Sequence, residues 1–198
     1  MILKRLRHAT TENHAALECQ LPLLDPNLSR EDYHEFVSRF YGYYAPLETQ
    51  LLALPWWDEM GFDYNERYKT PKLERDLLAL GDTPDMLARM PRCHNLPEIF
   101  TLSQLLGCLY VIEGSTLGGQ IITRHLRSSL GITLETGCSF FNGYGDITMM
   151  QWQAFGSTLT SLAERTCSDE EIIATANQTF KTLESWLFPT SQKQPTEL

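Results

Sequence analysis

The chain has 198 residues, 42% of them apolar and including 9 Phe, 8 Tyr and 4 Trp, which suffices for one buried core and excludes a disordered chain. A formal charge of -9 opposes binding to a nucleic-acid backbone, since no basic face is gathered beyond Lys4, Arg5 and Arg7 near the start. Five cysteines, odd in number and without a Cys-x-x-Cys pair, suggest neither a disulfide framework nor a zinc site and fit a reducing cytoplasm.

The segment from about Leu3 to Cys19 reads as a first helix, broken by Pro22 and Pro26. Its basic start is followed by ATTENH and not by an apolar run, and no stretch of about 18 apolar residues is expected, which argues against a signal peptide or membrane span. Ser29 reads as the cap of REDYHEFVSRFYGYYAPLETQLLAL, with Asp32 in the capping-box position, and Pro46 is expected to kink that helix. PWWDEMGFDYNERYKT reads as a loop. KLERDLLALG is a short helix stopped by Gly81, and TPDMLARM another with proline in its first turn.

A long helix, opened by Pro97 and Glu98, includes LYVIEGSTLGGQIITRHL, in which Leu109, Ile112, Thr116, Leu117, Gln120, Ile121 and Leu126 roughly keep helical period. After the turn-rich SFFNGYGD, Asp146 reads as the cap of TMMQWQAFGSTLTSLAER. Ser168 with Glu171 reads as a capping box before IIATANQTFKTLESWLF. No segment alternates with period two, so the fold class is all-α, with one domain over residues 1–189 and a polar, frayed tail over 190–198.

The glycines of the long helix carry the functional signal. Each costs about 1 kcal/mol relative to alanine, so Gly114, Gly118 and Gly119 together give up about 2 to 3 kcal/mol of local stability. Gly114 and Gly118 share a helix face and Gly119 lies beside it, leaving backbone on which another helix or a flat, rigid ligand could rest and a place where the helix can bend. A planar ligand needs a partner on its other side. Among His8, His14, His34, His94 and His125, His14 stands out because Ala9, Thr10, Ala15 and Ala16 leave room around it for a ring, and its imidazole could ligate iron.

Two rivals are weaker. Glu31 and His34 form a Glu-x-x-His, but a di-iron bundle needs a second copy and two further glutamates, and no second copy is present. Gly114-Ser115 lacks the Gly-x-Ser-x-Gly elbow of a hydrolase and a strand before it.

LRHATTENHAALE near the start and EGSTLGGQ about a hundred residues later together resemble the haem oxygenase family, in particular its bacterial, bacteriophytochrome-associated branch. The resemblance covers most of the chain and implies a single-domain helical bundle with haem sandwiched between a proximal histidine helix and a kinked, glycine-rich distal helix. By this likeness His14 is the proximal iron ligand, Arg7 pairs with a haem propionate, Gly114, Gly118 and Gly119 form the distal kink, and Phe180 packs near the haem edge or simply in the core. It further implies oxidation of haem, both cofactor and substrate, to biliverdin, carbon monoxide and ferrous iron, using O2 and electrons from a ferredoxin or reductase, with a bacteriophytochrome as a candidate receiver of biliverdin.

Two departures accompany the likeness. Many members carry aspartate where this chain has Ser115, and a hydroxyl does not replace a carboxylate's charge. MMQWQAFGSTL offers none of the basic residues that mammalian members use for propionates, which leaves the attacked meso carbon open. The alternative from another class is a haem carrier or sensor of the same fold without turnover; a small-molecule enzyme of similar helical shape, thiaminase-like, would not bind haem tightly.

Overall fold

The computed structural model describes residues 1–189; ten α-helices and three short 3-10 turns form it, with no strand among the described residues. The expected tail, 190–198, lies outside the described residues.

The expected first helix is two, α1 (Ile2–Ala9) and α2 (Thr11–Gln20). They part at Thr10, at φ −104° and ψ 0°. The threonine pair competes for the helix's own carbonyls: Thr10 Oγ1 donates to Leu6 O at 2.9 Å and Thr11 Oγ1 to Arg7 O at 2.7 Å, a back-bonding that bends helices.

The helix α3 (Arg30–Leu52) begins with the expected capping box, Asp32 N–H donating to Ser29 Oγ at 3.0 Å and Ser29 N–H to the Asp32 carboxylate at 3.3 Å. It runs on through Pro46. Proline cannot donate to the carbonyl four residues back, and that carbonyl, of Gly42, instead accepts Cys93 N–H at 2.8 Å. The irregular segment around Cys93 can come this near because Gly42 has no side chain: a Cβ there would stand 2.7 Å from both Pro91 O and Trp186.

Residues 55–70, expected as loop, hold a short helix α4 (Trp57–Met60) and a 3-10 turn (Tyr64–Glu66), with Trp57 stacked on Tyr64 at 4.6 Å, and the last of them, Thr70, already opens the next helix. Next come α5 (Thr70–Leu80), ended by Gly81 at φ +117°, and α6 (Pro84–Arg89), capped by Thr83. The helix α7 (Leu102–Gly114) starts later than expected. Pro97 and Glu98 lie in the irregular approach, and Thr101 with Gln104 forms the capping box.

Winding tightens to 3-10 over Ser115–Gly118 before α8 (Gly119–Leu130). Two expected caps are absent. Asp146 does not cap α9 (Thr148–Thr166); the Thr148 hydroxyl donates to Gly145 O at 2.7 Å. Ser168 makes no cap bond to α10 (Asp169–Leu187), because its hydroxyl donates to Thr166 O at 3.1 Å while Asp169 and Glu170 are drawn to Arg5.

The bundle centres on α7 against α10. Their backbones meet at Gly107, where a Cβ would stand 3.0 Å from Ala176 N. α3 packs on α5, and α1 and α2 lie along α10. The run Leu102–Leu130 has the length and mean hydropathy to cross a membrane, yet 56% of its most apolar window is buried inside the protein. It serves as the core helix of the bundle.

Candidate active site

The three glycines of the interrupted helix do different things. Gly119 is buried, and its missing side chain makes way for the loop opposite: a Cβ there would lie 2.9 Å from the Phe141 carbonyl carbon, with the oxygen nearer still. The bare backbone expected at Gly119 is therefore filled by protein. At Gly114 a Cβ would rest on the Trp152 indole at 3.6 Å, ordinary contact. Gly118 alone is open, with nothing within 4 Å of where a Cβ would lie.

Openness at Gly118 extends along one face. Leu117 is 38% exposed and Ile121 57%, whereas Leu109, Ile112 and Leu126 are buried in the core. Positions 114, 117, 118 and 121 share a side of a helix, so an apolar strip around a stripped backbone is left uncovered.

His14 lies in α2, one turn beyond the Thr10 break, with 55% of its side chain exposed. Its Nδ1 is 3.2 Å from Glu18 Oε2, so an Nδ1–H donating there leaves the Nε2 lone pair free, the arrangement that orients a ligating imidazole. The ring meets buried Phe180 edge-on, centroids 5.8 Å apart and planes at 81°. Arg7 is exposed at the end of α1. Burial raises the Tyr110 phenol's pKa, while the Thr10 hydroxyl and the Arg7 charge act on it in the opposite sense. Tyr110 is one turn before Gly114 and 5.8 Å from Trp152, so the α1–α2 junction reaches the face of α7 that carries Gly114.

Ser115 follows the first glycine. Its Oγ donates to Ile112 O at 2.9 Å, and the Tyr44 hydroxyl stands 3.5 Å away. Tyr44 is fully buried, which pushes its phenol up to about 12, so it is a neutral donor at ordinary pH.

Sequence reasoning missed Tyr44 and a buried charge cluster behind the 3-10 segment. Glu113, 1% exposed, accepts from Arg67 Nη1 at 2.7 Å, Lys69 Nζ at 2.6 Å and the Tyr144 hydroxyl at 2.9 Å. Burial would raise its carboxyl, but Lys69, Arg67 and Tyr144 outweigh that and hold it below its ordinary value. Glu48 is a second buried acceptor, taking Tyr64 Oη, Thr70 Oγ1 and the N–H groups of Lys69 and Thr70. In sequence Glu113 resembles any solvated glutamate within a helix, and Arg67 and Lys69 sit in a stretch with no periodicity.

A family model described as "Heme oxygenase" matches residues 1–188. The chain belongs to the haem oxygenase family. A heme oxygenase of Xanthomonas campestris pv. campestris (strain 8004) is 28% identical over 155 residues, covering 78% of this chain and 87% of that protein. In fold, the chain is similar to the NO- and CO-bound heme oxygenase from Neisseria meningitidis, with TM-score 0.79, 21% identity, and 94% and 90% of the two chains covered. It is likewise similar to heme oxygenase-1 from the cyanobacterium Synechocystis sp. PCC6803 in complex with heme, with TM-score 0.71, 16% identity and the same coverage. The all-α bundle inferred from the sequence is thus the fold of this family, and the family is one of enzymes.

The residues present fit a haem. An accessible imidazole with one nitrogen oriented by a carboxylate suits iron, and an uncovered apolar strip around Gly118 suits a porphyrin face.

Proposed function

We propose that this haem oxygenase family member binds haem between α2 and the Ser115–Gly118 segment and cleaves it with O2 and external electrons to biliverdin, carbon monoxide and ferrous iron. The observation that supports this most is the stripped, uncovered helix face at Gly118 beside exposed Leu117 and Ile121, in a chain whose accessible His14 has Nδ1 committed to Glu18. When bound, haem supplies the redox-active iron and the ring that is oxidised.

The protein's part is to bind, orient and deliver protons. His14 Nε2 is the proposed iron ligand, with Glu18 fixing the ring and Phe180 backing it. As an imidazole rather than a thiolate ligand, His14 would donate less electron density to the iron. Arg7 offers a charge-assisted contact to a propionate. Gly118 lets the backbone come close, with Gly114 and Gly119 shaping the segment on either side, and the Tyr44–Ser115 hydroxyl pair is the site at which water is held and protons move. A ferredoxin or reductase supplies electrons, a bacteriophytochrome is a candidate receiver of biliverdin, and five free cysteines fit the cytoplasm.

A carrier without turnover is the second reading. It is favoured by Ser115, whose one hydroxyl hydrogen already goes to Ile112 O. Haem titration followed by ascorbate or a ferredoxin system separates the two: loss of the Soret band with appearance of a bilin spectrum supports the enzyme, and haem that persists supports the carrier. His14→Ala is expected to abolish the imidazole-ligated spectrum; an unchanged spectrum would reject His14 as ligand.

A further inference from the structure

The Glu113 cluster has no place in the chemistry proposed above, yet it adjoins the distal segment. Glu113 is the penultimate residue of α7, and its own carbonyl accepts the Thr116 hydroxyl at 2.6 Å, inside the turn where winding tightens to 3-10. Its side chain joins separate parts of the chain at that point. Arg67 and Lys69 come from the connection before α5, Tyr144 from the loop before α9, and Arg67 carries the link on to Gln151 of α9 at 2.7 Å.

Both carboxylate oxygens of Glu113 and both terminal nitrogens of Arg67 are engaged. Lys69 Nζ also donates to Arg67 O at 3.0 Å, and the Arg67 guanidinium lies 4.2 Å over the Phe62 ring. Any slide of α7 past residues 62–70 would therefore leave a buried charge without its partner, a large penalty. A buried ionic cluster adds little net stability over apolar residues of the same volume, because desolvation cancels most of the attraction. Its physical use lies in permitting one arrangement only, and 3-10 winding inside a helix is where alternative arrangements are easiest.

We propose that Glu113 is a positioning residue: its carboxylate, gripped by Arg67, Lys69 and Tyr144, fixes where the distal helix leaves α winding and so sets how the Gly114–Gly118 backbone is presented to haem. The inference deepens the haem reading, and its first test does not depend on haem.

Amide hydrogen exchange of the haem-free protein compares wild type with Glu113→Gln. Exchange at residues 115–120 should quicken about tenfold or more while the α7–α10 core amides keep their rates, as expected for local opening. In the ferric haem complex the acid–alkaline spectral transition, which reports the distal surroundings, should shift its midpoint. Because Glu113→Gln leaves two buried cations, a Glu113→Leu, Lys69→Met double variant is measured alongside; with Arg67 as the one cation left, still held by Gln151, it should recover part of the lost melting temperature but neither slow exchange nor the native midpoint.

Unchanged exchange at 115–120, faster exchange spread evenly over the chain, or a double variant restored in every measure would each overturn the proposal. A wild-type chain that fails to bind haem would sink the functional reading instead, and the exchange comparison would still decide the role of Glu113.

Discussion

The Phe141 carbonyl occupies the space that a Cβ on Gly119 would need, so the loop preceding α9 is seated directly on the glycine-rich helix. The same loop is held from its other side, where Asp76 accepts Ser139 N–H at 2.8 Å and Phe140 N–H at 2.7 Å, and Tyr33 donates to Gly137 O at 2.7 Å. With backbone on both sides of the clash, neither partner can yield. Gly119→Ala should therefore destabilise the protein by about 1 to 3 kcal/mol, the range for overpacking a filled site. Urea denaturation of the haem-free protein measures this, and a loss under about 0.5 kcal/mol, the size of a neutral surface change, would contradict it.

Gly118, one residue earlier, should behave oppositely. Nothing lies within 4 Å of its Cβ position and its φ of −77° suits any residue. Gly118→Ala should raise haem-free stability by up to about 1 kcal/mol through helix propensity alone. Gly118→Leu should leave the fold intact and weaken haem binding by about tenfold or more, since a porphyrin face needs that space; equal haem affinity would remove Gly118 from the site.

These two glycines show what a sequence can and cannot display. EGSTLGGQ announces a backbone stripped of side chains, but which glycine faces a ligand and which a loop depends on Phe141, more than twenty residues away. Local signals were legible where the physics is local: the Ser29–Asp32 capping box and the stop at Gly81 stand as read. The Thr10 break was not, because two threonines in a helical pattern bond their own backbone only once the turn exists. Glu113, Arg67 and Lys69 were invisible for the stronger reason that their burial comes from tertiary packing of segments with no shared motif. Of the expected site, His14 and Phe180 are neighbours in the fold, whereas Tyr44 enters only through its distance to Ser115.

Acid stability should carry the mark of the charge cluster. The Glu113 carboxyl is held below its ordinary 4.5, so the stability it contributes is whole above that value and is lost as pH falls through its folded one. Asp76 has the opposite sign. Burial raises it above 3.8, so it takes up a proton more readily folded than unfolded and favours the fold as pH falls. Removing Glu113 and Lys69 together leaves only the Asp76 trend of this pair. Between pH 6 and 3 the Glu113→Leu, Lys69→Met variant should lose stability less steeply than wild type, by at most about 1.4 kcal/mol per pH unit for one proton. Parallel denaturation curves across that range would show that the Glu113 proton is not linked to folding.

Protons must reach the distal side without the aspartate that many family members carry. Ser115 commits its hydrogen to Ile112 O, so its oxygen can only accept, and the nearby neutral donor is the Tyr44 hydroxyl at 3.5 Å. A proton path through Ser115 therefore needs Tyr44, or water held between them, to supply the hydrogen. Tyr44→Phe should lower the rate of haem conversion to bilin by about 100-fold, the low end of what a positioned acid contributes, with haem affinity unchanged. Ser115→Ala should cost less, because water can take the place of an acceptor more readily than of a fixed donor. Single-turnover conversion followed at the Soret band, with a solvent deuterium effect measured on each variant, gives the comparison. Ser115→Ala slower than Tyr44→Phe would mean that the serine oxygen, and not the phenol behind it, organises the distal water.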